Sequence, residues 1–173
     1  MIFKLFRKSA PDDAVETAYA SIVAQSRQPR FYAQWGIPDS VTGRFDMISL
    51  HVALLLRRLK SEPDGREFGQ ALVDHFFRDM DLSLRELGIT DLGVPKRVRK
   101  MSDIFYGLLG ALDDALTSGS EEELKAVLRK NVYPDATSDP APLAAYLRAE
   151  ADALSARPLA ALIGGQVSAG AAI

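Results

Sequence analysis

Between positions 43 and 60 apolar side chains occupy almost every side of a helical wheel. Phe45, Met47, Ile48, Leu50, Val52, Leu54, Leu55 and Leu56 leave no clear polar face. A helix of that kind has no side to turn towards water, so it belongs in the middle of a bundle. The flanking sequence offers partners for it. Val15, Ala18, Tyr19, Ile22 and Val23 make one apolar face of an earlier helix that stops before Pro29. Phe68, Leu72, Phe76, Met80, Leu84 and Leu87 form a stripe at steps of four and three. Met101, Ile104, Phe105, Leu108 and Leu112 follow on another helix, then Leu124, Val127 and Leu128, then Leu143, Leu147 and Leu154. No stretch alternates convincingly as a strand would, and no internal repeat is present. The expected architecture is all-α, one compact helical domain of five to seven helices.

Local signals place the ends of these helices. An aromatic connector at 31–35 (FYAQW) leads into the turn GIPD at 36–39. Asp64 reads as an N-cap with Glu67 three residues on, as in a capping box, and Ser120 with Glu123 repeats the arrangement. Gly88 supplies a left-handed stop. Pro95 reads as the first residue of its helix, where a missing amide costs nothing. Gly107 and Gly110 weaken that helix locally and would admit a closely packed neighbour. A last helix begins near Pro140 and ends before Pro158. The expected organisation is a basic and apolar segment at 1–10, a helical domain at 11–157 and a flexible tail at 158–173, with both ends mobile.

A length of 173 residues suits one domain with its own core. The absence of cysteine excludes disulfides, thiolate metal sites and a cysteine nucleophile. No apolar run reaches membrane-spanning length. The first eight residues, MIFKLFRK, lack the apolar core of a signal peptide, and Asp12 and Asp13 argue against a transit peptide. A cytoplasmic protein is the expectation, with the inner face of the cytoplasmic membrane as a peripheral site. The same octapeptide could touch an anionic membrane or fold onto the core.

The net charge of −2 is that of no general nucleic-acid binder, but the distribution is uneven. Residues 61–95 carry three basic and eight acidic side chains, whereas 96–110 carry four and one. Lys96, Arg97, Arg99 and Lys100 therefore form a local basic patch in the opening turns of a helix, where the macrodipole favours acids. Such a placement suits an anionic partner, or else pairing with the acids just upstream. Arg57 and Arg58 close the central helix, where they complement its dipole, and would add to the patch only if they lay beside it. Asp74, Arg78, Asp81 and Arg85 read as a solvated face of ion pairs; alternatively Arg78, Asp79 and Asp81 form a recognition surface. His51 and His75 fall on different helices without the repeated Glu-x-x-His pairs of di-iron bundles, so packed histidines are expected and no metal site. No nucleophile elbow, phosphate loop or zinc-protease motif occurs. The residues indicate no catalysis and no cofactor.

Over some hundred residues, short runs stand in a specific order and spacing. They are FY at 31–32, GIPD at 36–39, GRFD at 43–46, ISLHV at 48–52 with LLLRRLK at 54–60, and ALVD at 71–74. FFRDMD at 76–81, LRELG at 84–88 and DLGVPKRVRKM at 91–101 complete the set. From Phe31 to about Asn131 the chain resembles the ubiquinol–cytochrome c chaperone family, and its shortness resembles a bacterial member. The first helix and everything past Tyr133 match loosely or not at all. The resemblance implies a non-enzymatic, all-helical assembly factor for the cytochrome bc complex (complex III). It implies binding of newly made or unassembled cytochrome b, near the ribosome in mitochondrial members, which work with a small partner protein. No catalytic residues come with it. The residues leave two other readings open. One is a peripheral adaptor that binds RNA or anionic lipid head groups through the patch at 96–100, and the other is a small enzyme built around His75 and Asp79.

Overall fold

A computed structural model describes residues 12–133 and 137–167. In chain order the helices are α1 (Asp12–Ser26), α2 (Pro29–Ala33), α3 (Val41–Leu59), α4 (Pro63–Glu86), α5 (Gly93–Ser118), α6 (Glu121–Asn131), α7 (Ala141–Ser155) and α8 (Leu159–Ile163). Six of these are eleven residues or longer, two are single turns, and the described residues contain no strand. The all-round apolar segment is α3, and every residue from Phe45 to Leu55 is buried. Helices α1, α4, α5 and α7 pack around it. Phe45 of α3 stacks on Phe76 of α4 at 5.7 Å, and Phe76 meets Phe105 of α5 edge-on at 5.5 Å. Such offset and edge contacts fix the angle between helices as well as burying area.

The turn at 36–39 locks the start of α3. Ser40 is the N-cap and its Oγ accepts from the Gly43 amide at 3.1 Å. A Cβ on Gly43 would stand 2.0 Å from the Pro38 carbonyl oxygen, so the close approach of turn to helix requires glycine there.

Several helix ends differ from the sequence expectation. Helix α4 starts at Pro63 with Glu62 as N-cap, and no capping box forms at Asp64. Proline at the first position is already set for helix, so the chain turns two residues early and Asp64 falls inside the first turn. Helix α5 starts at Gly93, which makes Pro95 its third residue; the amide there is still without an intrahelical partner, so proline is tolerated. Ser120 caps α6 as expected, accepting from the Glu123 amide at 3.2 Å. Gly107 and Gly110 admit no close neighbour, because a Cβ at either would meet nothing within 4 Å. Part of the expected connector is the single-turn α2. The expected flexible tail from 158 instead begins with α8, whose Leu162 is fully buried, and Val167 is buried as well. A five-residue alanine-rich helix is too short to show a period, which is why no pattern marked it. The segment at 1–10 and residues 168–173 lie outside the described residues.

Two buried titratable groups sit on α3. His51 is held between α1 and α7. Its Nδ1 lies 2.7 Å from the Met47 carbonyl oxygen, which can only accept, so Nδ1 carries the proton. Nε2 then accepts from the Tyr146 hydroxyl at 2.8 Å, and Tyr146 accepts from Gln25 at 2.8 Å. Burial lowers His51 from 6.5 to about 4, consistent with a neutral ring. Burial raises the Asp46 carboxyl from 3.8 to about 7.

Asp46 binds its proton more tightly folded than unfolded, so its contribution is fully present below about 3.8 and is lost as pH rises through about 7. His51 has the opposite sign: its contribution is present above 6.5 and is lost as pH falls through about 4. The two slopes oppose each other between those limits. Asp46→Asn removes only the first, so its stability relative to wild type should grow from pH 4 and level off above about 7 in urea melts; a constant difference would contradict a buried, proton-holding Asp46. Gly43→Ala should lower stability by about 1–3 kcal/mol, read from the urea midpoint, through the clash with Pro38.

Candidate functional site

The apolar stripe of α4 runs on past the helices that cover it. Helix α1 ends at Ser26 and α3 begins at Val41, so the last two turns of α4 are only partly roofed. The result is an open groove of about 310 Å³ between the end of α1, the start of α3, the end of α4 and Met101 of α5. Phe45, Ile48, Met80 and Leu84 form its floor. Val41 and Leu87 form its lip, 60% and 59% exposed, and Arg27, Arg44 and Glu86 stand at the edge. Two thioethers, Met80 and Met101, line it; methionine adapts its shape to varied apolar surfaces. On one wall Tyr19 donates a 2.7 Å hydrogen bond to Asp79. Burial, followed by that carboxylate, pushes the Tyr19 hydroxyl up, so it remains a donor.

A second cavity of about 310 Å³ lies at the opposite end of α3, lined by Leu56, Val73, Tyr106 and Leu109 among others. Three cations, Arg57, Lys60 and Arg66, line it with one carboxylate, Asp113. Asp113 lies 3.1 Å from Arg57 and 2.5 Å from Lys60.

The structure separates several residues that sequence reasoning grouped. Arg57 pairs with Asp113, which is thirteen residues beyond Lys100 on α5, or about 20 Å along the axis. Arg58 pairs with Glu62 at 3.2 Å and donates to the Arg157 carbonyl at 3.0 Å. Both hold the far end of the bundle and do not join the patch at 96–100. Lys96, Arg97, Arg99 and Lys100 are exposed and form no ion pair among the described residues. The nearest acid of the upstream segment, Asp91, is taken by Arg85, as is Asp81. Because α5 begins two residues early, Lys96 is its fourth residue and Lys100 its eighth. The macrodipole acts mainly on the first turn, so only the first of these cations opposes it strongly.

Arg78, Asp79 and Asp81 do not share a face. Asp79 and Asp81 project about 160° apart around the helix, the one towards Tyr19 and the other towards Arg85. His75 packs against the Tyr19 ring at 4.9 Å, remote from His51 and its own network. No group of three or more potential metal ligands occurs among the described residues. Sequence reasoning missed Arg27, Val41 and Arg44 as lining residues. Only Leu87, the last member of its stripe at a helix end, carried a signal that the apolar face outlasts its cover.

Three comparisons bear on this geometry. A family model described as ubiquinol-cytochrome C chaperone matches residues 33–169, and so runs on past Tyr133, where the resemblance was expected to fade. Ubiquinol-cytochrome-c reductase complex assembly factor 1 of Xenopus laevis is 25% identical over 123 residues, covering 70% of this chain and 61% of that protein. The Homo sapiens protein of the same name is 25% identical over 123 residues, and there the match spans 41% of the longer chain. The crystal structure of the Cbp3 homolog from Brucella abortus superposes with a TM-score of 0.84 at 43% identity, over 97% of this chain and 96% of that one.

The two groups of cations should respond with opposite signs in thermal melts. Arg58→Ala removes an ion pair and a bond to a carbonyl, and should cost about 1 kcal/mol. Lys96→Gln removes a cation from the first turn of α5 and should raise the melting temperature slightly. A loss of stability in Lys96→Gln would instead mean that this side chain has a structural partner.

Proposed function

The chain belongs to the ubiquinol–cytochrome c chaperone family, and from that premise we propose that it is a non-enzymatic assembly factor for ubiquinol–cytochrome c reductase. In this reading it holds an apolar helical segment of newly made or unassembled cytochrome b in the groove between α1, α3, α4 and α5. The observation that carries the proposal is the exposed lip of Val41 and Leu87 above a floor of phenylalanine, isoleucine, leucine and methionine. A folding domain normally covers an apolar stripe; a lip left open at the end of one marks an interaction site. The matched relatives are named as assembly factors of that complex, and the chain spans about three-fifths or less of their length.

The groove chemistry fits a client awaiting assembly. Its floor removes apolar surface from water at about 25 cal/mol per Å², which suits a segment that would otherwise aggregate. The charged edge of Arg27, Arg44 and Glu86 keeps the empty groove solvated. None of the described helices is long and apolar enough to cross a membrane itself, so client and chaperone meet through surfaces.

The test is retention of cytochrome b from detergent-solubilised membranes on immobilised protein. Val41→Asp combined with Leu87→Gln should reduce retention at least tenfold while leaving the melting temperature near wild type. Position 41 is the first residue of α3, where an acid is favoured by the dipole, so loss of retention cannot be put down to unfolding. Equal retention by the variant would remove the groove as the client site.

A further inference from the structure

One exposed face remains unexplained by the groove. Leu92, just before α5, is 93% exposed, and Ile104, three turns along, is 42% exposed. Between them Lys96 and Lys100 continue one i, i+4 ridge of the helix, Leu92–Lys96–Lys100–Ile104, with Arg97 on one flank and Arg99 on the other, all four cations without ion pairs among the described residues. Lys130 of α6 shares a shallow depression with Ile104 and adds a further cation at the edge. Asp103 is the acid on that depression. We propose that this face, tipped by Leu92, docks the protein onto an anionic lipid bilayer.

The combination of side chains carries the argument. Cations alone would suit any polyanion, because each one near a charged surface gains roughly the same Coulomb energy. Aliphatic side chains standing among them gain nothing from a phosphate backbone, but they insert into the boundary between head groups and acyl chains. Single-stranded nucleic acid is bound on aromatic platforms, and this face has none: Tyr106 projects from α5 on the side of the second cavity. The face covers the first three turns of α5, about 18 Å of helix, a length that can lie along a membrane. The client groove opens beside it at Met101, so docking would present that groove to segments emerging from the same bilayer. The proposal does not depend on the client reading, since its residues and its readout differ.

Vesicle flotation tests it with the full chain, comparing phosphatidylcholine alone with mixtures containing phosphatidylglycerol. Wild type should float only with the anionic vesicles, and less so as salt is raised. The triple variant Lys96→Gln, Arg97→Gln, Lys100→Gln should fall to background, at about fivefold in partitioning per cation removed. Leu92→Ser decides between a membrane and a nucleic acid: partitioning should drop about fivefold, with any binding to polyuridylate unchanged. Position 92 is fully in solvent, so folding is not at stake. Flotation unaltered by Leu92→Ser, flotation on neutral vesicles, or tight binding to polyuridylate without flotation would each overturn the proposal. The Val41→Asp, Leu87→Gln variant should float as wild type does.

Discussion

The structure depends on the burial of α3 on all sides. A helix with one apolar stripe can be satisfied by a single neighbour, but α3 presents apolar atoms in every direction and so needs a closed collar. Helices α1, α4, α5 and α7 supply it. Each buries one apolar stripe against α3, and α7 also buries Glu150, which accepts from Gln25 of α1. The chain order follows from this requirement, because α4 and α5 fold back on α3 as successive hairpin partners while α1 and α7 close the remaining sides from either end of the sequence.

Burial alone would allow α3 to slide or rotate within that collar, since leucine packs against leucine in several registers. The polar atoms in the core remove that freedom. His51 must meet both the Met47 carbonyl and the Tyr146 hydroxyl, and Ser26 of α1 closes on the same ring at 3.1 Å. A shift of one residue would leave these groups buried without partners, at a cost of about 1–3 kcal/mol each. The guanidinium of Arg30 stacks 5.1–5.4 Å from the rings of Phe31, Trp35 and Tyr146, binding the short α2 to the same point. The histidine expected to be a packed one is thus a registration point for three helices.

The fold was legible in the sequence because α1, α4 and α5 carry apolar stripes at helical spacing and α3 is apolar all round. The class, the central helix and the stop at Gly88 followed from them directly. What escaped was local geometry. Pro63 displaced the expected cap at Asp64, since a proline preset for the first turn outweighs a good capping side chain next to it. Helix α8 escaped because five residues hold no period. For the site, the patch at 96–100 was legible as composition, but the ridge that Lys96 and Lys100 make with Leu92 and Ile104, flanked by Arg97 and Arg99, needed the phase of the helix. The groove was hardest to foresee. Val41, Arg27 and Leu87 are remote in sequence, and each alone looks like an ordinary exposed residue at a helix end.

The electrostatics of the two ends of the bundle differ in their side chains. At the groove end α3 and α5 present their N-termini while α1 and α4 present their C-termini, so the four macrodipoles largely cancel. The positive character there is carried by side chains, chiefly Lys96, Arg97 and Lys100, and it is therefore long-sided, mobile and sensitive to salt. At the opposite end the dipoles cancel in the same way, but the cations there are tied to partners, with Asp113 between Arg57 and Lys60, Glu62 on Arg58 and the Lys60 carbonyl accepting from Arg66. A bundle whose only selection was for stability would pair the cations at both ends, since partners in the acidic 61–95 segment were close at hand. Asp91 is instead committed to Arg85, and that leaves the first turns of α5 charged, solvated and free to meet something outside the molecule.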